Sequence, residues 1–262
     1  MSYRVELKDK PGVLAVLADA IGKEGGNIQE VALTARHPGI MIRDISVQVR
    51  DLTHSRRVEE ALRRCDPSRI KLLQVIDEVE TMHRGGKIEV VSKFPLSTFF
   101  DLSLAYTPGV AKISRAIAED PEAARDFTIK GHSVAIVTDG SAVLGLGDIG
   151  PLAALPVMEG KAMIFKKFAN IDAFPIVLDV HEPEEIIAAT RAIAPGFGGV
   201  NLEDISGPKC FEIEERLDNE LPIPVFHDDQ HGTAIVVLGG LMNALKVVKK
   251  KLSQVKIVIS GA

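Results

Sequence analysis

The sequence predicts a mixed α/β chain made of two units, and three observations carry that reading. Residues 3 to about 80 repeat a strand, helix, strand, strand, helix, strand rhythm. From Ile88 onward the chain becomes richer in Gly and Pro, and short β-branched runs alternate with helix-like segments, as in an α/β layer. Its 262 residues suit one large or two ordinary domains at roughly 150 residues each, long enough to bury a core.

In the first unit, Val5 and Leu7 alternate with polar neighbours as a half-buried strand does. Asp9-Lys10-Pro11-Gly12 then opens a helix with Pro near its first turn. Val13, Leu14, Leu17, Ala20 and Ile21 share one helical face, and Gly25-Gly26-Asn27 stops the helix with residues that tolerate positive φ. Ile45, Val47 and Val49 alternate with Ser46 and Gln48 as a one-face strand. Val58, Ala61, Leu62 and Cys65 form a second apolar stripe ahead of the apolar run 70–76. That order is a ferredoxin-like βαββαβ unit, an architecture that names no function by itself. His83-Arg84-Gly85-Gly86-Lys87 reads as a linker. Beyond it, 132–137 and 174–180 read as buried strands, and 182–193 and 207–221 as helices. The stretch 232–251 reads as the longest helix, with Thr233 near its start and a Lys-rich last turn that suits the helix dipole. The chain stops at Val255-Lys256-Ile257-Val258-Ile259-Ser260-Gly261-Ala262, an apolar strand pattern running into a glycine.

Charge and composition narrow the partners. A formal net charge of -5 without a sustained basic run argues against nucleic acid or an anionic membrane as the main partner and favours small molecules. The first ten residues mix charged and apolar types and lack the apolar core of a signal peptide. The most hydrophobic stretch, 232–248, is broken by Gly239, Gly240, Asn243 and Lys246, so no transmembrane segment is expected and a cytoplasmic location is. The two cysteines, Cys65 and Cys210, lie far apart and outside metal-ligand spacing, and read as reduced thiols.

Chemistry-bearing residues concentrate in four segments of the second unit. Tyr106 stands before the Pro108-Gly109 turn, where a phenol fits packing or, with a cation to lower its pKa, acid catalysis. Gly145, Gly147 and Gly150 formally match the Gly-X-Gly-X-X-Gly dinucleotide fingerprint, but Pro151 is read as leading into another irregular stretch, so a glycine-rich scaffold loop is the better reading. Lys161 follows Gly160 and precedes an apolar run; partial desolvation would lower its pKa toward neutrality and make it a usable base, the alternative being a lysine at a helix start with its head in water. Glu203 and Asp204 follow one strand-like run, and Asp228 and Asp229 another. Carboxylates at strand ends converge on one crevice in open α/β sheets, and an all-oxygen cluster calls for Mg²⁺ or Mn²⁺ rather than Zn²⁺.

Two resemblances follow from these residues. Leu7-Lys8-Asp9-Lys10-Pro11-Gly12-Val13-Leu14, followed by Gly25-Gly26-Asn27-Ile28, resembles an ACT domain, a regulatory module that commonly binds amino acids or similar metabolites between paired copies. The resemblance makes Gly12 and Asn27 the effector contacts; a plain tight turn and a helix C-cap explain the same residues equally well. Residues 93–262 resemble malic enzyme through Tyr106-Thr107-Pro108-Gly109-Val110, Thr138-Asp139-Gly140, Leu144-Gly145-Leu146-Gly147-Asp148-Ile149-Gly150, Glu159-Gly160-Lys161, Asn201-Leu202-Glu203-Asp204-Ile205 and His227-Asp228-Asp229-Gln230-His231-Gly232-Thr233-Ala234, in that family's order. Ser141-Ala142-Val143 stands where the larger eukaryotic-type members carry an Arg, which places the likeness with the prokaryotic type and leaves open which group grips the malate carboxylate.

The second resemblance implies oxidative decarboxylation of (S)-malate to pyruvate and CO₂ with NAD⁺ or NADP⁺ and Mg²⁺ or Mn²⁺. By position it makes Tyr106 the general acid and Lys161 the general base, both touching substrate. Glu203, Asp204 and Asp229 become metal ligands, and Asp228 a carboxylate that orients Lys161. It implies an ACT domain over 1–82, a malic enzyme N-terminal domain over 93–230, and over 231–262 the first helix and strand of a Rossmann domain cut short after Gly261, the first cofactor-binding glycine. The residue that would choose between NAD and NADP lies beyond that point. Allosteric control through the ACT domain and a homodimer or higher oligomer are expected, and the isolated chain is expected to be inactive. The rival reading is a non-catalytic, metal-binding sensor of an amino acid or dicarboxylate. A metal-dependent aldolase or decarboxylase without nicotinamide would leave the terminal glycine unexplained.

Overall fold

A computed structural model describes residues 1–259, which fall into two compact units, Met1–Gly86 and the chain from Lys87 onward. The first unit runs β1 (Ser2–Lys8), α1 (Val13–Lys23), β2 (Asn27–His37), β3 (Ile40–Gln48), α2 (Leu52–Arg64), β4 (Ile70–Ile76) and α3 (Glu78–His83). Its antiparallel sheet has the order β2-β3-β1-β4, the predicted βαββαβ arrangement. Alternation puts Tyr3, Val5 and Leu7 of β1 on the inner face, where they meet Val13, Leu17 and Ile21 of α1 and Val58 and Leu62 of α2. Gly12, at φ 82, supplies the left-handed turn into α1 that other residues resist. Asp51 caps α2 by accepting the His54 amide at 2.7 Å. The buried Tyr3 hydroxyl donates to the Ser55 carbonyl at 3.1 Å, so this tyrosine is a core residue.

In the second unit α4 (Phe99–Ala105), α5 (Val110–Glu119) and α6 (Ala124–Phe127) precede a parallel sheet. The sheet and its crossovers are β5 (Ser133–Thr138), α7 (Pro151–Ala169), β6 (Asp172–Val177), α8 (Pro183–Ile193), β7 (Gly199–Leu202), α9 (Lys209–Glu220), β8 (Val225–His227) and α10 (Thr233–Val247). All pairings are parallel and the order is β6-β5-β7-β8. Met158 and Ala162 of α7 cover one face with Ile136 and Ala173. Ile186 and Ile187 of α8 and Cys210, Ile213 and Leu217 of α9 cover the other with Val137, Val200 and Leu202. Covered faces explain why these strands read as short, continuously apolar runs. Because β6 and β7 lie on opposite sides of β5, the order reverses between β5 and β7, and a crevice opens there beyond the strands' carboxyl ends.

Three expectations change. The stretch after Gly150 is not irregular: Pro151 takes the first turn of α7, where its missing N–H costs nothing, and Lys161 lies well inside the helix rather than at its start. At 19 residues α7 exceeds α10, which spans 15, so 232–251 is not the longest helix among those described. Residues 255–259 form no strand, since a strand needs a hydrogen-bonded neighbour and none lies beside them among the described residues. Gly261 lies outside the described residues. Among those described, no helix is long and apolar enough to cross a membrane.

Candidate active site

Three loops leave the carboxyl edge of the parallel sheet and meet at the switch point. The loop after β5 begins with Asp139 and ends at Gly150, closed by a bridge between Val143 and Gly147. Gly140 at φ +69 allows this closure, since a Cβ there would lie 2.3 Å from the Gly150 carbonyl oxygen. The loop after β7 carries Glu203 and Asp204; the turn after β8, a single π-helical turn over Asp228–Gly232, carries Asp228 and Asp229. Backbone hydrogen bonds lace the loops together. The Ala142 amide donates to the Asp204 carbonyl at 2.9 Å, the Ser206 amide to Ser141 Oγ at 2.9 Å, and the Asp204 amide to Asp229 Oδ2 at 2.7 Å.

Lys161 projects from α7 into this crevice. Its Nζ lies 3.0 Å from Glu203 Oε1 and touches Asp228 Oδ2. Burial pulls this lysine's pKa down, but hydrogen bonds and charge from Asp228 and Glu203 outweigh it and hold the pKa above the ordinary lysine range. The expectation of a lysine lowered toward neutrality by desolvation is therefore corrected: two carboxylates stabilise the ammonium.

The strain falls on the acids instead. Glu203 is 5% exposed, and burial pushes its carboxyl up to about 7 against the pull of Lys161 and of Asn201, whose Nδ2 donates to Oε2 at 2.9 Å. Asp204 is 3% exposed and pushed up to about 6 by burial first and then by the Asp229 charge. It sits at φ 53, and its buried Oδ2 has no hydrogen-bond partner. A non-glycine residue in the left-handed region, carrying an unsatisfied buried carboxylate oxygen, marks strain of the kind that collects at functional sites. The orphaned oxygen and the all-oxygen donor set fit a hard divalent cation held by Glu203, Asp204 and Asp229. Among the described residues no group of three or more His, Cys, Asp or Glu is already arranged to hold an ion. Asp229 is turned to the Asp204 amide and Glu203 to Lys161.

The structure thus brings Lys161, Glu203, Asp204, Asp228 and Asp229 together. It does not join Tyr106 to them: Tyr106 follows α4, is 68% exposed, and shares no hydrogen bond with the cluster. Gly12 and Asn27 belong to the first unit, at the start of α1 and of β2.

Three residues near the cluster, Lys209, His181 and Glu214, went unread in the sequence, and Asp139 was named only within the Thr138-Asp139-Gly140 motif, without a role. Asp139, fully buried, accepts hydrogen bonds from Lys209 Nζ at 2.6 Å and Ser141 Oγ at 2.7 Å, with His181 Nδ1 at 3.5 Å. Its burial is offset by Lys209 and Ser141, which leave its carboxyl below the usual range. Lys209 and His181 carried no pattern that could have found them. Glu214 did, because it falls on the apolar stripe Cys210, Ile213, Leu217 of α9, where a carboxylate is out of place.

Fold and site together define an α/β protein with a lysine set among carboxylates at the switch point of a parallel sheet. The family description "Malic enzyme, N-terminal domain" matches residues 85–218, and "ACT domain" matches residues 1–67. The chain is 57% identical over 245 residues to an NAD-dependent malic enzyme of Geobacillus stearothermophilus, covering 94% of this chain and 51% of that protein. It is 53% identical over 177 residues to an NADP-dependent malic enzyme of Salmonella typhimurium, covering 68% of this chain and 23% of that protein. Among solved structures, the malic enzyme from Pyrococcus horikoshii superposes with a TM-score of 0.63 at 61% identity, over 65% of this chain and 40% of that one. The NAD-dependent malic enzyme from Thermotoga maritima gives 0.65 at 54% identity, over 67% and 50%. The chain belongs to the malic enzyme family and carries an ACT domain at its N-terminus. It spans about half the length of the curated relatives matched over most of its sequence.

Proposed function

We propose that this chain is the regulatory and substrate-handling part of an NAD(P)-dependent malic enzyme, which converts (S)-malate to pyruvate and CO₂ in the cytoplasm. The observation that carries the reading is Lys161 held by Glu203 and Asp228 beside the orphaned Asp204 oxygen, at the sheet's switch point. Glu203, Asp204 and Asp229 would hold Mg²⁺ or Mn²⁺. When bound, that cation polarises the C2 oxygen and a nicotinamide dinucleotide supplies the hydride acceptor. Lys161, once neutral, takes the C2 hydroxyl proton, and Asp228 and Glu203 stabilise the ammonium that results, which is the state they favour here. Three carboxylates with one divalent cation leave a net charge of -1 and malate adds -2, so the ammonium formed when Lys161 takes the proton offsets part of that charge. Tyr106 delivers a proton to C3 of enolpyruvate, which requires its exposed ring to be brought against the substrate.

Regulation belongs to the same proposal: an amino acid or similar effector binds at the Gly12 turn and Asn27, between paired copies of the chain. Calorimetric titration of the chain with Mn²⁺ and malate, beside an NAD(P)H absorbance assay on the chain and on a form extended by a nucleotide domain, tests the whole. Metal-dependent NAD(P)H formation by the extended form supports it. Metal and malate binding with no turnover by either form would instead favour a sensor.

A further inference from the structure

Glu214 lies on the buried stripe of α9 and is 7% exposed, beside Cys210, Ile213 and Leu217, which are fully buried. A carboxylate is expensive to bury there unless its oxygens are engaged. Both face the turn after β8. Oε1 accepts the His227 backbone amide at 2.9 Å, and Oε2 lies 2.6 Å from His231 Nδ1. These contacts bracket Asp228, which touches Lys161, and Asp229, which accepts the Asp204 amide. The turn between them is a π turn, rare in proteins and concentrated at functional sites. It is also tight: a Cβ on Gly232 would come within 2.7 Å of Asp228 Oδ1. One buried carboxylate on a neighbouring helix therefore holds the start of the turn by a hydrogen bond and faces the His231 ring near its end, Oε2 lying at ion-pair distance without hydrogen-bond geometry.

We propose that Glu214 is a positioning residue that fixes the His227 to His231 turn, and so sets where Asp228 stands against Lys161 and where Asp229 stands against Asp204. The metal part of this inference rests on the malic enzyme reading; the Lys161 part rests on the geometry alone. Outer-shell partners of ligating residues typically change metal affinity or activity by about 10- to 100-fold.

The test uses the full chain, its Glu214→Ala and Glu214→Gln variants, and Asp229→Asn as a control, each checked for a cooperative thermal melt. Two readouts are taken: Mn²⁺ affinity from the EPR signal of free ion, and the rate at which Lys161 is acetylated at fixed pH, read by peptide mass. Glu214→Ala is expected to weaken Mn²⁺ binding by about tenfold or more and to acetylate Lys161 several-fold faster, because Asp228 no longer holds the ammonium. Glu214→Gln, whose carbonyl oxygen still accepts the His227 amide, is expected to fall between wild type and Glu214→Ala on both readouts. Glu214→Gln keeps the side chain's volume in this buried site, so a departure of that variant from wild type reports the lost carboxylate rather than lost packing. Wild-type values for both readouts in a folded Glu214→Ala variant overturn the proposal. Should that variant not fold, wild-type values in Glu214→Gln overturn it. If wild type binds no Mn²⁺, or Asp229→Asn binds it as well as wild type, the metal-ligand reading fails, and the Lys161 rate alone decides on Glu214.

Discussion

The Glu203 carboxyl gives the most direct test of the site's electrostatics. In the folded chain it titrates near about 7 against an ordinary 4.5, chiefly because it is buried. A carboxylate with a raised folded pKa binds its proton more tightly in the folded state than in the unfolded one. Its contribution is therefore fully present below the unfolded pKa and is lost as pH rises through the folded one. For Glu203 that window runs from 4.5 to about 7. At about 1.4 kcal/mol per pKa unit, acidification from about pH 8 to about pH 5.5 should add about 2 kcal/mol of stability from this one group. Glu203 is nearly fully buried, so solvent screening removes little of that figure. His227, also buried and held below the ordinary histidine range by desolvation, acts in the opposite direction as it is driven to charge. Glu203→Gln cancels that background, since the variant keeps His227 and an amide in place of the carboxyl. The assay is urea denaturation of wild type and Glu203→Gln at the two pH values with divalent ions chelated. Wild type should gain about 2 kcal/mol over the variant on acidification. Parallel pH dependence in the two proteins would refute a raised Glu203, and with it the reading of this cluster as electrostatically strained.

Other outcomes follow from the same geometry. In the complete enzyme, Lys161→Ala and Tyr106→Phe should each lower kcat about 10²- to 10⁴-fold, and unchanged turnover in either would remove that residue from the chemistry. Gly232→Ala would drive a methyl group against Asp228 Oδ1, so it should loosen the Lys161 contact and weaken Mn²⁺ binding in the same direction as Glu214→Ala, read by the same EPR titration. Lys209→Met would leave Asp139 fully buried without its cation and should cost about 3–5 kcal/mol in urea denaturation. A loss below about 1 kcal/mol would show that Ser141 and His181 suffice to hold it.

What the sequence made legible follows from how local each signal is. The run 70–76 becomes β4 with the same limits, and the stripe Val58, Leu62 becomes the buried face of α2, because alternation and helical period are written in a few adjacent residues. The start of α7 is hard to read because Gly150-Pro151 serves equally as a loop and as a helix opening. The strand pattern at 255–259 is real as a pattern but has no neighbour among the described residues to pair with, and pairing is a property of two segments. Within the site, the motifs marked Lys161, Glu203, Asp204, Asp228 and Asp229, but the direction of the Lys161 shift could not be read from its own neighbours. It depends on carboxylates 42 and 67 positions away in the chain, which only the fold brings to its side.

The loops' hydrogen bonding explains how these carboxylates can be gathered at one sheet edge. Carboxylates packed at a sheet edge repel one another, and a site held only by ion pairs would rearrange whenever one of its charges was neutralised. Here the positions are held largely by neutral bonds: Ala142 to the Asp204 carbonyl, Ser206 to Ser141, and the Glu203 amide to the Val137 carbonyl at 2.9 Å, continuing the ladder beyond β7. These bonds do not depend on the protonation state of Glu203 or Asp204. The two acids can therefore take up protons, release them or meet a cation while their backbone stays in place, so the cost of gathering the charges is borne by the fold rather than by each binding event. Asp229 is the exception. Its carboxylate itself accepts the Asp204 amide, and it is the most exposed of the three proposed ligands. Of the three it should therefore move most on metal binding, while Glu203 and Asp204 keep their places. A structure with Mn²⁺ bound in which Asp229 still accepted the Asp204 amide and Glu203 had swung away would contradict this division of roles.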